Sequence, residues 1–177
     1  MRVPSLVFLL AVPALLPAQD LSLGLATGLS LPVGDLKNER PTGTNALFGG
    51  HVAGQLSWDL HNDQALRAHL TYTRFPGSRW SHGPRNDYDL LQAGADWVFD
   101  LPARAWYAFG GVSLASTRLD TDGGSNTESG NLGLRGGVGY RFHRNFALEA
   151  VLNEVDTGQT LGHATWVNVS ATWRFGR

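Results

Sequence analysis

The sequence predicts an all-β protein: an eight-stranded, antiparallel, up-and-down transmembrane β-barrel preceded by a signal peptide. Three observations lead to this prediction. Segments of about ten residues alternate apolar and polar side chains along the chain, which is the period of a β-strand whose two faces meet different surroundings. The breaks between these segments are alternately short and long. An apolar leader precedes the first segment.

The composition excludes several classes of function. The chain has 177 residues, with 14 Lys plus Arg and 15 Asp plus Glu, so its formal net charge is −1. This balance gives no basic surface for binding nucleic acid. The chain has no cysteine, which excludes a disulfide framework and thiol chemistry. No segment reaches the ~20 apolar residues that a membrane-spanning helix needs.

Residues 1–18 have the features of a signal peptide. Arg2 gives a positive start, residues 6–16 form an apolar stretch, and Ala18 offers a small side chain for cleavage. The alternative, a short buried helix, is disfavoured by the prolines at positions 4, 13 and 17. We therefore expect export and cleavage, which leaves residues 19–177 as a single barrel domain.

The clearest alternation is NLGLRGGVGYRF, residues 131–142. Leu132, Leu134 and Val138 fall on one parity, whereas Gly133 and Arg135 fall on the other. Equivalent segments lie at 20–31, 48–60, 65–75, 88–100, 105–119, 146–156 and 164–175. Their lengths suit the ~9–11 residues of a tilted membrane strand. Eight strands are therefore predicted.

The breaks between the strands predict how the barrel is oriented. Bacterial outer-membrane barrels have an even number of strands, short periplasmic turns and long external loops. The longer breaks, 32–46, 76–87, 120–130 and 157–163, are therefore expected to face the exterior. With an even count, both termini lie on the periplasmic side. The expected location is the outer membrane of a Gram-negative-type bacterium.

The aromatic residues distinguish a membrane barrel from a soluble one. A ring of aromatic side chains at one level is typical of a membrane interface. In segment 105–119, where both parities are apolar, Trp106, Val112 and Leu114 are assigned outward. Aromatic residues of the apolar face cluster near the short breaks and the C-terminus, and they predict a periplasmic-side aromatic girdle of Trp58, Trp97, Trp106, Tyr140, Phe142 and Trp173.

The opposite parity carries the charges, which predicts a polar interior. Each of these charges would be destabilising by a few kcal/mol against lipid. The predicted lumen polar network consists of Arg67, His69, Gln92, Asp96, Arg135, Arg141, Glu149, Asn168 and Arg174. Eight strands enclose a space that side chains fill, so a packed core is expected rather than a pore. Because strands six and seven are neighbours, Glu149 is expected to pair with Arg135 or Arg141.

Over residues 20–175, this pattern resembles the small outer-membrane β-barrels of the OmpA and OmpX type. The last strand also resembles the C-terminal signal of outer-membrane proteins, because alternate apolar residues end in an aromatic, Phe175, although Gly176 and Arg177 follow it. The resemblance implies a non-enzymatic envelope protein whose external loops serve surface interaction or envelope integrity. The expected partners are outer-membrane lipid, lipopolysaccharide and the barrel-assembly machinery. A monomer without a cofactor or bound metal is expected.

Two other functions stay open. Some small barrels are lipid A-modifying enzymes with a serine, a histidine and an acid near the outer rim. The nearest approach in this sequence is His163 with Thr165, where threonine stands in place of serine. The second alternative is a soluble, lipocalin-like ligand-binding barrel, which also alternates but places its apolar face inside.

Overall fold

The structure, a computed structural model, describes residues 21–37, 48–60, 63–77, 86–102, 105–121, 124–158 and 162–175. The predicted signal peptide, residues 1–18, lies outside the described residues. Within the described ranges, no helix has both the length and the apolar character needed to cross a membrane.

Eight antiparallel strands close into a barrel in which each strand pairs with its neighbours in the chain and β1 pairs with β8. The strands are β1 (Leu21–Val33), β2 (Gly49–Leu60), β3 (Gln64–Phe75), β4 (Asn86–Asp100), β5 (Trp106–Thr121), β6 (Gly124–His143), β7 (Phe146–Gly158) and β8 (Gly162–Phe175). A short 3-10 turn, Gly34–Leu36, follows β1. The predicted fold, an eight-stranded up-and-down barrel, is confirmed.

The strand register shows that the strands are tilted. The pairs run from Leu23 through Leu56, Ala68, Ala95, Val112, Leu134, Glu154 and Thr165, and they return to β1 at Val33. One circuit of the barrel thus advances ten residues along β1, from 23 to 33. A stagger of this kind accompanies tilted strands in a closed barrel. Closure pairs both edges of the strands along the body of the barrel, whereas β6 pairs with β7 only from Gly133 onward.

The two ends of the barrel differ. At the turn end, β2 leads into β3, β4 into β5 and β6 into β7, and the described chain ends, Leu21 and Phe175, lie there too. At the loop end, β1 leads into β2, β3 into β4, β5 into β6 and β7 into β8. The segments between the strands at the loop end lie largely outside the described residues. The terms turn end and loop end are therefore defined by the strand ends alone.

The hairpin of β5 and β6 extends further than the sequence predicted. Segment 120–130 was expected to be a loop, but β6 begins at Gly124 and pairs with the end of β5. Ala115 pairs with Asn131 and Ser116 with Ser129, so Gly130 is an extra residue, and its φ of 86° fits a bulge. Polar side chains lie on both faces of this extension, so the strand lacks the alternation that marks the other segments.

The outer surface of the barrel is apolar, and the charges of the strand centres point inward. Leucine, valine and aromatic side chains of the predicted outward parity are exposed on all eight strands. In β5, the ambiguous strand, Trp106, Val112 and Leu114 point outward as assigned. Tyr107 and Phe109 are the buried residues of the other parity. An exposed apolar band of this extent is typical of a protein surface that lies in lipid.

The outer face generates the first prediction. Leu70 lies near the middle of β3, opposite Gly54 and Ala93, with 55% of its surface exposed. Leu70→Arg is expected to lower the free energy of unfolding by about 2–4 kcal/mol, because a cation at the bilayer midplane has no water or partner. Reversible urea unfolding in liposomes would measure it. The control is Val33→Arg at the end of β1, with an expected loss of about 0–1 kcal/mol. Equal losses at the two positions would contradict the lipid-facing assignment.

Candidate functional site

The centre of the barrel interior is an ionic layer of four buried side chains: Arg67, Asp96, Arg135 and Glu149. Arg67 Nε and Nη2 each lie 3.0 Å from Asp96 Oδ2 on the neighbouring strand. Its Nη1 donates to Glu149 Oε1 at 2.7 Å. Arg67 is on β3 and Glu149 on β7, so this guanidinium connects opposite walls of the barrel. Two positive and two negative side chains make the layer formally neutral.

The expected partner of Glu149 was wrong. Glu149 pairs with Arg67 instead of Arg135 or Arg141. Arg135 lies with its Nε 3.3 Å from Asp96 Oδ1, and Arg141 Nη1 donates to Asp100 Oδ2 at 2.7 Å. The reason is the register, which places Gly139 opposite Glu149, so that neither arginine of β6 faces this carboxylate directly.

Two aromatic rings complete the surroundings of the ionic layer. The guanidinium carbons of Arg67 and Arg135 lie 4.1 and 5.6 Å from the centre of the Phe109 ring. The Tyr107 hydroxyl donates to Glu149 Oε1 at 2.6 Å. A cation over an aromatic face is attracted to the ring, most strongly where water is excluded. Glu149 therefore accepts from both a guanidinium and a phenol, which compensates for its burial.

The other predicted members of the lumen polar network occupy separate positions. His69 Nδ1 lies 3.5 Å from Asp96 Oδ2, at the edge of the ionic layer. Gln92 Nε2 donates to Ser113 Oγ at 3.3 Å. Asn168 Oδ1 accepts from Ser30 Oγ at 2.7 Å, and this hydroxyl also lies 3.0 Å from His51 Nδ1, another inward side chain of the polar parity. Arg141 and Arg174 lie apart from these groups, at the turn end of the barrel.

Glycines give the large interior side chains their space. A Cβ atom at Gly111 would collide with the Ala95 backbone and the Asp96 carboxylate, and a Cβ at Gly139 would collide with the Tyr107 ring. A larger residue at either position would displace a member of the ionic layer or its aromatic support. The inward glycines that mark the polar parity of β5 and β6 are therefore part of the interior packing.

The interior is not polar throughout, because apolar clusters lie on both sides of the ionic layer. The loop-end cluster consists of Leu36, Phe75, Tyr88, Leu90, Ala115, Leu119, Val155, Ala164 and Trp166. The turn-end cluster consists of Val98, Tyr107, Phe109, Ala147 and Val151. Sequence reasoning missed both clusters. Their signal was present, because apolar and aromatic residues interrupt the polar parity near the strand ends.

Five of the six residues of the predicted aromatic girdle are exposed on the outer surface near the turn end: Trp97, Trp106, Tyr140, Phe142 and Trp173. They contact other aromatic rings, with Trp106 and Tyr140 centred 5.0 Å apart and Trp173 5.4 Å from Phe146. Trp58 differs, because only 8% of its surface is exposed. It lines a groove on the outer surface together with Leu66 and Ala68. Because Ala68 is small, the indole ring has room in this groove.

The described residues contain no group of three or more His, Cys, Asp and Glu side chains placed to hold a metal ion. The carboxylates and imidazoles of the interior instead lie beside arginines and hydroxyl groups.

A comparison with models of known protein families finds a match. The model for the outer membrane protein beta-barrel domain matches residues 5–175. A comparison with curated protein sequences finds no match.

Several solved structures are similar in fold. Neisserial surface protein A is 20% identical with a TM-score of 0.59, and the alignment covers 88% of this chain and 96% of that chain. The N-terminal β-barrel domain of OprF from Pseudomonas aeruginosa is 15% identical with a TM-score of 0.59, covering 89% and 98%. Ail of Yersinia pestis, in complex with the heparin analogue sucrose octasulfate, is 16% identical with a TM-score of 0.54, covering 88% and 96%. With sequence identities this low, the structural similarity shows that these proteins share a fold.

The ionic layer generates a prediction about stability. Arg67→Met leaves Asp96 and Glu149 buried with Arg135 as the remaining cation of the layer, so we expect the free energy of unfolding to fall by about 3–5 kcal/mol. Arg118→Gln is the control, since it breaks an exposed pair with Asp120 and should be destabilising by less than about 1 kcal/mol. Both values come from urea unfolding in liposomes. If Arg67→Met were no more destabilising than the control, the ionic layer would have no special role in stability.

Proposed function

The chain belongs to the outer membrane protein beta-barrel domain family, and on this basis we propose that it is a non-enzymatic outer-membrane protein with a packed interior. Its location in the outer membrane follows from the family. The connections at the loop end then make the contacts that constitute its function, either with partners at the cell surface or in support of envelope integrity.

The observation that supports this proposal best is the filled interior. The ionic layer is buried and internally paired, and an apolar cluster lies on each side of it. Fully buried side chains, including Phe75, Leu90 and Trp166 at the loop end, occupy the space that a channel needs. Eight-stranded barrels have an interior of a size that side chains fill. In this proposal, the barrel is a scaffold, and the segments that contact partners lie outside it.

The proposed orientation places the turn end, with both chain termini, in the periplasm and the loop end outside the cell. Short periplasmic turns and longer external loops are the rule for bacterial barrels. The apolar outer face then contacts lipid and, in the outer leaflet, lipopolysaccharide. The barrel-assembly machinery inserts the chain, and the protein acts as a monomer, because closure of the barrel body leaves no strand edge there for pairing with a second copy. It has no nucleic-acid partner.

The orientation can be tested with single cysteines, because the chain has none of its own. Ser125→Cys and His143→Cys lie near opposite ends of β6, and both positions are exposed. With a membrane-impermeant maleimide on intact cells, Ser125→Cys is expected to be labelled and His143→Cys to be protected. Both variants should be labelled after the outer membrane is permeabilised. Labelling of His143→Cys alone in intact cells would invert the topology, and labelling of neither would remove the proposed surface role.

A second candidate function, lipid A modification, is favoured by one observation at the loop end of β7 and β8. Glu154 Oε1 lies 3.5 Å from His163 Nδ1 on the outer surface, and Thr165 pairs with Glu154 in the register. An acid, a histidine and a hydroxyl thus share the outer surface of the barrel near the strand ends. An acid–histidine–hydroxyl set is the arrangement used for nucleophilic ester cleavage. Threonine is a bulkier nucleophile than serine, and the non-enzymatic function is the stronger proposal.

Lipid A composition separates these two functions. Mass spectra of lipid A from cells with and without the gene are expected to be identical, as are spectra from cells expressing Thr165→Ala. Loss of an acyl chain that depends on the gene and disappears in both Thr165→Ala and His163→Ala would contradict the non-enzymatic function. Such a result would make the Glu154, His163 and Thr165 set the active site.

A further inference from the structure

The turn end of the barrel contains an open cavity of about 570 Å³ that is separate from the ionic layer. Leu21, Ser22, Leu60, Gln64, Ala65 and Asn145 line part of it. The rest of its lining is charged, with three arginines and three aspartates. The cavity lies within the size range of small-molecule sites, although its lining is more polar than that of most of them.

The charges of this cavity are segregated by wall. Arg141, at the end of β6, Arg144, in the β6–β7 turn, and Arg174, at the end of β8, form a basic wall. Asp59 and Asp100, near the ends of β2 and β4, and Asp63, before β3, form an acidic wall. In the closed strand order, β2–β4 lie across the barrel from β6–β8. The two walls therefore face each other across the cavity.

Among the described residues, the ion pair of Arg141 with Asp100 connects the two walls directly. Arg141 Nη1 donates to Asp100 Oδ2 at 2.7 Å, and its guanidinium carbon lies 4.4 Å from the centre of the Tyr107 ring. Arg174 lies over the same ring at 5.7 Å. Within the described part of the chain, its guanidinium makes no ion pair or hydrogen bond.

Two further charges at the cavity are also without an ion pair among the described residues. The Arg144 side chain donates from Nε to Asn145 Oδ1 at 3.2 Å and approaches no described carboxylate within ion-pair distance. Asp63 stands in the β2–β3 turn with a φ of 57°, and its carboxylate has no described partner. Donors on the basic wall and an acceptor on the acidic wall therefore remain available across one cavity.

We propose that this cavity binds a zwitterionic amino acid or short peptide, with its carboxylate on Arg174 and Arg144 and its ammonium on Asp63. Guanidinium groups recognise carboxylates by paired hydrogen bonds, and a carboxylate recognises an ammonium group as a point charge. A ligand with a single charge would satisfy one wall and leave the other facing it unpaired. This inference goes beyond the proposed function and does not depend on the orientation of the barrel.

The test uses the purified, refolded full chain in a nonionic detergent, because a zwitterionic detergent would compete. The probes are alanyl-alanine, its N-acetylated form, which is an anion, and its C-terminal amide, which is a cation. Titration followed by amide resonances of Ser22 and Asn145 is expected to show saturable binding of alanyl-alanine. Each capped peptide should bind at least about tenfold more weakly, equivalent to about 1.4 kcal/mol. No saturable binding, or equal binding of the three peptides, would overturn the proposal.

Variants assign the two ends of the ligand. Arg174→Gln is expected to weaken alanyl-alanine binding about tenfold and to remove its preference over the amide. Asp63→Asn is expected to remove its preference over the acetylated peptide. The control, Arg118→Gln near the loop end, should bind as the original chain does. Unchanged selectivity in both cavity variants would overturn the proposal. If a variant failed to fold, the three peptides with the unmodified chain would still decide between binding and no binding.

Discussion

The ion pairs of Arg67 connect parts of the barrel that no backbone hydrogen bond connects. Every strand of the closed sheet is bonded to its two neighbours, but β3 and β7 lie on opposite walls. The Arg67 guanidinium spans the interior between them and pairs with Glu149 at 2.7 Å while it also holds Asp96. Since an unpaired buried charge is strongly destabilising, each of these groups requires the others in place. The positions of Phe109, Tyr107 and the inward glycines are constrained by this requirement.

The outer face is subject to the opposite constraint. Lipid offers no hydrogen-bond partners, so the backbone must satisfy itself within the closed sheet, and polar groups of the strand centres must point inward. Period-two alternation meets the side-chain requirement, because successive residues of each strand point to opposite faces of the sheet. The closed sheet meets the backbone requirement. This is why the register matters so much: a slip of one residue would place Arg67 in lipid and Leu66 or Ala68 in the ionic layer. The paired interior and the apolar exterior therefore support the same register.

The sequence predicts the strands and their faces well, because both depend on local alternation. Leu132, Leu134 and Val138 identify the outer face of β6 without any knowledge of its neighbours. The partner of Glu149 could not be predicted in this way, because it comes from β3, and the length of an arginine allows it to cross the interior. The inward arginines of the neighbouring strand β6, Arg135 and Arg141, were the natural expectation, but they pair with Asp96 and Asp100.

Other departures from the sequence predictions have equally specific causes. Phe75 and Trp166 face inward because the barrel ends need apolar filling, and their rings meet 6.3 Å apart in the loop-end cluster. Both residues fall on the polar parity of their strands, which marks them as inward, but the prediction of a polar interior did not account for them. The sequence does not reveal that residues 124–130 form a strand. A hairpin that extends beyond the apolar band has similar surroundings on both faces, so its side chains need not alternate between apolar and polar. The separation of charges at the turn end depends on three turns and a strand end that are distant in sequence.

The pairing of Arg67 across the lumen can be measured directly by solid-state NMR in lipid bilayers. The experiment labels arginine side-chain nitrogens and glutamate carboxyl carbons and follows the dipolar dephasing of the Arg67 guanidinium, which Arg67→Lys identifies. A bridge across the barrel predicts strong dephasing of Arg67 that disappears in Glu149→Gln. Dephasing of Arg135 or Arg141 by Glu149, with Arg67 unaffected, would show that the walls are not connected as described.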